Sequence, residues 1–241
     1  ITKKEIAPLV ADFSESFNQF KNESKNPPPE YDEVSREEAE AFIPQTYGPC
    51  PCASGNKYKF CCQIIFKDIV NAMCKAQEGH LDEALSYMKE AESKVGPTAE
   101  VNSRFGIVWS FFDKEKANDY FLAALKLNPN HPRTNYILGI EASDKNNYQE
   151  AVTHYQKALE SYPTEDKFHH NETLNNLGNV YFKIKDYKAA KDAWEKALVL
   201  LPTDRMVIGN LFNCIYENPE IPADTREISP FIRKYLNRTA K

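Results

Sequence analysis

Cys50, Cys52, Cys61 and Cys62 place four thiols within thirteen residues, spaced as C-x-C, a loop of eight, and C-C. Neither doublet closes on itself without strain, because a relaxed disulfide needs Cα atoms roughly 5.5 Å apart. A tetrahedral soft cation satisfies all four thiolates at once, with Zn–S bonds of about 2.3 Å drawing two ligands from each end of a short loop. The residues between them fit that task. Pro49 and Pro51 restrict φ on the incoming chain, Gly55 permits a tight turn, and Lys57 and Lys59 set positive charge beside a centre that is formally negative. No acidic residue occurs from Tyr47 to Lys67. With every coordination position filled by protein there is no place for a catalytic water, so the expected cofactor is a structural Zn2+, with iron as the alternative metal.

Pro49 through Cys62 reads P-C-P-C-A-S-G-N-K-Y-K-F-C-C. This stretch resembles the SEC-C motif, the zinc-binding tail known from the preprotein-translocase ATPase SecA, and departs from it at Ala53, where that family usually has Gly. The resemblance implies metal binding through Cys50, Cys52, Cys61 and Cys62. It also implies contact with the ribosome or an export chaperone, as the SecA tail meets the chaperone SecB. The knuckle is then either an architectural staple for the helix that follows or a surface that also meets a partner through Lys57 and Lys59.

Catalytic chemistry finds little support elsewhere. The eight glycines fall at turns, in the knuckle or within repeats, and no phosphate-cradling loop or G-x-S-x-G elbow is formed from them. His169 and His170 are adjacent and could join a second metal site, but in a polar insertion they read as solvated. His80, His131 and His154 lack a spaced partner that suggests a triad. Cys74 and Cys214 read as small core hydrophobes. The chain is expected not to be an enzyme.

The elements that must position the cysteines are helical. Thr2-x-x-Glu5 is a capping box, and Ile6, Leu9, Val10, Phe13, Phe17 and Phe20 follow at steps of three and four. Asn26-Pro-Pro-Pro-Glu30 ends that helix, and Ser35-x-x-Glu38 opens a short one stopped by Pro44. From Cys61 to Gly79 the pattern is again helical, with Ile64, Ile65, Ile69, Val70, Met73 and Ala76 on one broad face. The knuckle caps this helix.

Beyond it the chain repeats itself. Ala84, Ala117, Ala151 and Ala190 are each followed four residues later by Met88, Phe121, Tyr155 and Trp194, and seven later by Ala91, Ala124, Ala158 and Ala197. Phe105-Gly106, Leu138-Gly139 and Leu177-Gly178 lie upstream, and Pro97, Pro129, Pro163 and Pro202 close the units. Small residues let two helices approach, large ones fill the space between them, and proline ends each pair. These units resemble tetratricopeptide repeats over 65–97, 98–131, 132–165 and 171–204, with one residue missing from the turn of the second and an insertion, Asp166 to His170, before the last. Met206, Val207, Leu211, Phe212 and Ile215 form a covering helix, and Ile228, Phe231, Ile232 and Tyr235 a final one.

The expected fold is all-α: an N-terminal helical arm with a Pro-rich linker (1–46), a four-cysteine zinc knuckle (47–63), a helix-hairpin solenoid (64–217) and a C-terminal helix (218–241). No run of eighteen apolar residues exists, so no membrane span is expected. The acidic surplus lies in residues 1–49, which hold ten acids against five bases, and the remainder balances; a broad nucleic-acid surface is not indicated. Thiol-rich metal chemistry fits a reducing compartment, read as the cytoplasm.

The tetratricopeptide resemblance implies a concave face that binds a protein or peptide. Its register places Ser103, Ile107, Tyr136, Ile140, Asn175, Asn179, Phe182, Lys183 and Asn210 there. Asn179 and Asn210 fall on the asparagine positions of the family's carboxylate clamp, while Asn175 stands where its first lysine does. Together the resemblances imply a bacterial adaptor holding protein partners by the groove, the knuckle or both. The alternative is a regulatory or accessory subunit of an enzyme or toxin system.

Overall fold

The computed structural model describes residues 44–202, 204–216 and 218–227. The expected helices of the N-terminal arm, its proline linker and the helix from Ile228 lie outside the described residues.

The described chain begins in the knuckle. Pro49 and Lys57 form an antiparallel bridge, the Cys50 amide donates to the Asn56 carbonyl at 2.9 Å, and the Tyr58 amide donates to the Gly48 carbonyl at 2.9 Å. A single 3-10 turn, Tyr58–Phe60, then delivers the chain into α1 (Cys62–Gln77). Eight further helices follow among the described residues: α2 (Leu81–Val95), α3 (Ala99–Ser110), α4 (Lys114–Leu127), α5 (Pro132–Asp144), α6 (Tyr148–Ser161), α7 (Lys167–Lys183), α8 (Tyr187–Leu200) and α9 (Arg205–Leu211). No strand occurs among the described residues, and the fold is all-α.

Helix starts are set by side chains that satisfy otherwise orphaned amides. Thr98 accepts from the Val101 amide, Asp113 from Glu115 and Lys116, Asp186 from Ala189, and Asp204 from Met206 and Val207. Turns inside three of the hairpins use a left-handed residue, Gly79 (φ +82°), Asn146 (φ +61°) and Lys185 (φ +64°). The α3–α4 turn spans three residues as the others do but has no such residue; the residue missing from this unit is taken from the end of α3, not from the turn as expected.

Helices pack most heavily in pairs, α1 with α2, α3 with α4, α5 with α6 and α7 with α8. Ala84, Ala91, Ala117, Ala124, Ala151, Ala158, Ala190 and Ala197 are all buried, as are Met88, Phe121, Tyr155 and Trp194 between them. Val207, Leu211 and Ile215 close the last pair, while Met206 is exposed. The covering helix does not run on regularly: α9 gives way to a π-type turn at Phe212–Tyr216.

Two expectations need correction. Ile64 is half exposed and does not belong to the buried face of α1, which is Ile65, Asp68, Ile69, Ala72 and Ala76. Asp166 to His170 is not a solvated insertion but the cap and first turn of α7. Asp166 accepts from the His169 amide at 3.2 Å, and the His169 ring stacks on Tyr162 with centroids 4.9 Å apart.

Candidate metal centre and groove

The knuckle hairpin brings Cys50, Cys52, Cys61 and Cys62 together, with all four sulfur atoms within 4.8 Å of one another. Cys50 and Cys52 Sγ are 3.4 Å apart, and Cys52 and Cys61 Sγ are 3.5 Å apart. A tetrahedral site with Zn–S bonds of about 2.3 Å has sulfur–sulfur edges of about 3.8 Å, so this donor set fits a zinc-sized cation. When bound, the metal supplies cross-linking and no open coordination position. Ser54 Oγ lies 3.2 Å from the Cys61 sulfur, a hydroxyl placed to steady one ligand from outside the coordination shell.

The electrostatics point the same way. Hydrogen bonds from Cys50, Cys52 and Cys62 hold the Cys61 thiol far below the usual range. Hydrogen bonds with Cys50, Cys52 and Cys61, with burial, push the Cys62 thiol far up. Four crowded sulfurs cannot all ionise by themselves, and a shared cation removes that conflict.

Ala53, directly after Cys52, has φ +54°, the left-handed region that favours glycine. This gives a physical reason for the glycine usual at this place in the motif that the stretch resembles.

Lys57 and Lys59 stand on the outer face of the knuckle. Lys59 Nζ donates to the Tyr47 hydroxyl at 2.7 Å and lowers that phenol below its ordinary range; Lys57 Nζ lies 5.9 Å from the same ring. Tyr47 and Phe60 are both exposed, with ring centroids 6.3 Å apart, so the lysines sit among aromatic surface.

The expected groove residues divide. Asn179 and Lys183 line a cavity of about 420 Å³ together with Ile140, Asp144, Asn176 and Phe182. Asn210 donates one amide to both Asn175 Oδ1 (2.9 Å) and Asn179 Oδ1 (3.2 Å), tying α9 to α7. Asn175 is buried and points its own amide at the Met206 sulfur, 3.5 Å away. Tyr136 is also buried, its hydroxyl accepting from Asn176 at 2.9 Å. Asn175 and Tyr136 therefore support the groove from beneath and do not form its accessible surface.

Sequence reasoning passed over a buried ionic cluster. The Glu100 carboxylate meets Arg104 Nε at 2.6 Å, His131 Nε2 at 3.0 Å and Arg133 Nε at 3.9 Å. Arg133 Nη2 in turn lies 2.9 Å from His169 Nε2, and His169 Nδ1 lies 2.7 Å from Asp166. Burial would raise the Glu100 carboxyl, but the charges of Arg104, Arg133 and His131 hold it well below the usual range. His131, which has no triad-like spacing in the sequence, caps α5 and is fully enclosed. A signal was present: Glu100, Arg133 and Glu172 each stand six residues before the repeat glycine, so charge alternates at one register position.

Residues 132–165 and 172–204 each match the tetratricopeptide repeat family. The chain is 27% identical over 170 residues to the Cell division cycle protein 16 homolog of Homo sapiens, a match covering 66% of this chain and 24% of that protein. It is 33% identical over 111 residues to the Anaphase-promoting complex subunit cut9 of Schizosaccharomyces pombe, covering 44% of this chain and 16% of that subunit. The chain thus spans about a quarter or less of the length of these curated relatives. Among solved structures, the APC/C hetero-tetramer Cut9-Hcn1 superposes with a TM-score of 0.55 at 25% identity, over 76% of this chain and 38% of that one. Pseudomonas aeruginosa pilF superposes with a TM-score of 0.56 at 19% identity, over 74% of this chain and 76% of that one, a likeness of fold alone. No helix among the described residues is long and apolar enough to cross a membrane. The hairpins α5–α6 and α7–α8 are tetratricopeptide repeats.

Proposed function

We propose that this chain is a non-catalytic, zinc-holding adaptor that binds protein partners through the groove and through the outer face of the knuckle. The observation that carries this reading is the cavity of about 420 Å³ on the repeat array, where Ile140 and Phe182 supply apolar wall and Asp144, Asn176, Asn179 and Lys183 supply polar groups. That mixture suits an extended polypeptide, whose side chains need apolar contact and whose backbone needs hydrogen-bond partners. Similarity to a subunit of the anaphase-promoting complex, and to Cut9 in a hetero-tetramer with Hcn1, supports a scaffold held among other chains. The resemblance of the knuckle to the SEC-C motif supports a more specific form, a cytoplasmic bacterial adaptor for the ribosome or the export machinery.

Affinity capture from a bacterial lysate tests both surfaces. The intact chain is compared with a Lys57→Glu/Lys59→Glu variant and with an Asn179→Asp/Lys183→Glu variant. Loss of a ribosomal or export partner on reversal of the knuckle charges is expected if the knuckle recognises it, and loss of a peptide ligand in the second variant if the groove does. Retention of every partner by both variants defeats the reading.

A further inference from the structure

Two aromatic rings and two cations share the outer face of the knuckle. Backbone pairing fixes them: the Lys59 amide donates to the Thr46 carbonyl and the Tyr58 amide to the Gly48 carbonyl, both at 2.9 Å, so Tyr47 lies alongside the segment from Lys57 to Phe60. Tyr47 is 58% exposed and Phe60 62%, with ring centroids 6.3 Å apart and planes at 63°. Lys59 Nζ is near both rings, 4.8 Å from the Tyr47 centroid and 5.8 Å from that of Phe60, and Lys57 Nζ flanks Tyr47 from 5.9 Å. No acidic residue occurs between positions 47 and 67, and Asp68, the next in sequence, is buried and paired with Lys94.

The make-up of this face selects its ligand. An apolar helix laid across it would strip water from two ammonium groups and offer them nothing in return. An acidic peptide answers the lysines and leaves the ring faces open to water. A single strand of nucleic acid answers both, because every base has a π face to stack on a ring and every nucleotide carries a phosphate for a lysine. Ser54 and Asn56, both exposed, line a cleft together with Phe60 and add short polar groups within reach of a ribose 2′-hydroxyl, which favours RNA over DNA. The rings are already held in place by the hairpin, so little ordering is lost when a strand arrives.

We propose that the outer face of the knuckle binds single-stranded RNA, with bases stacked on Tyr47 and Phe60 and phosphates held by Lys57 and Lys59. The site is small, and the chain's net charge of −5 keeps the rest of the surface from adding to it, so binding is local and salt-sensitive. The inference rests on the reading of this face as a recognition surface and names the ligand that it takes; the groove is left to proteins.

Fluorescence anisotropy of labelled oligouridylate and oligoadenylate of about eight nucleotides, titrated with the full, zinc-loaded chain at low ionic strength, tests it. Saturable binding is expected, with log K falling against log salt at a slope of about −1.4 for two neutralised phosphates. Tyr47→Ala and Phe60→Ala should each weaken binding roughly fivefold or more, Lys57→Glu/Lys59→Glu should abolish it, and Tyr47→Phe, which keeps the ring, should retain it. Variants are compared at equal zinc content and melting temperature; if Phe60→Ala loses zinc, the Tyr47 pair, remote in sequence from the cysteine doublet, carries the comparison. Absence of binding, equal affinity for duplex RNA or for oligodeoxythymidylate, or indifference to loss of the rings each overturns the proposal. A protein captured from a ribonuclease-treated lysate and lost on charge reversal, with no oligonucleotide bound, overturns it while upholding the recognition face. Oligonucleotide binding with every protein partner retained by the charge-reversal variant does the reverse, so the two readings fail separately.

Discussion

The indole of Trp194 lies across Gly178 so closely that a Cβ on that glycine would sit 2.6 Å from Nε1. The same nitrogen donates to the Asn175 carbonyl at 3.1 Å, so the ring is held at both its face and its polar edge. Tyr155 lies over Gly139 in the same way, with Cε1 2.6 Å from the position of an added Cβ, and Phe121 lies over Gly106. In α1 and α2 the pair is Ala72 and Met88, both wholly buried: the unbranched, flexible thioether tolerates the extra methyl that a flat ring would not. Each hairpin is therefore keyed by one small residue on its first helix and one large residue on its second.

Gly178→Ala is expected to destabilise the array by about 1–3 kcal/mol, because the methyl must displace a fully buried indole. Gly209→Ala is the control, since an added Cβ there meets nothing within 4 Å and helix propensity favours alanine by up to about 1 kcal/mol. Denaturant midpoints that fall for the first and hold or rise for the second bear this out. Equal behaviour of the two contradicts the keyed-pair account.

Glu100 governs stability in acid. Its folded carboxyl titrates well below the ordinary value near 4.3, so its contribution is complete above that value and is lost as pH falls toward the folded one. Glu100→Gln is expected to cost about 3 kcal/mol at pH 7, where Arg104 and Arg133 are left without their counter-charge. The variant should also lose less stability than the parent between pH 5 and pH 3. Chemical denaturation across that range is the check, and parallel acid profiles would show that another group is responsible.

Metal loss should unravel the knuckle and loosen the first hairpin. Metal binding in small thiolate knuckles is also folding free energy, on the order of 10 kcal/mol. Cys61→Ser is expected to abolish stoichiometric zinc by elemental analysis and to lower the melting temperature, whereas Cys214→Ser leaves zinc content unchanged. A melting profile unaffected by Cys61→Ser would falsify the structural role of the centre.

Ala53→Gly should tighten the same centre. A left-handed alanine costs about 1 kcal/mol that glycine does not, equivalent to roughly fivefold in apparent zinc affinity. Competition with a chelator measures the difference. Weaker binding by the glycine variant would mean that the alanine methyl makes a compensating contact.

Much of this protein was legible in one dimension because its rules are local. A C-x-C and C-C pair eight residues apart announces a cluster of four thiols, since short chain geometry alone brings the sulfurs together. Ala-x-x-x-large-x-x-Ala at near-constant spacing announces helix hairpins, since helical periodicity decides which residues face each other. The residue missing from the second unit was visible too, although it is taken from the end of α3 and not from the turn. Burial was decided elsewhere. His169 looked like a solvated polar residue and His131 carried no signal because nothing near them in sequence requires otherwise; in the fold Glu100 is buried against His131 and the arginines, with His169 reached through Arg133, and a buried carboxylate must find cations. Asn175 and Tyr136 share a register with the groove residues, yet both are buried, Asn175 against Asn210 and Met206 and Tyr136 against Asn176. The sequence determined the repeating unit and the cluster of four cysteines that could hold a metal; only the stacking of one unit on the next decided which polar groups are exposed and which hold the stack together.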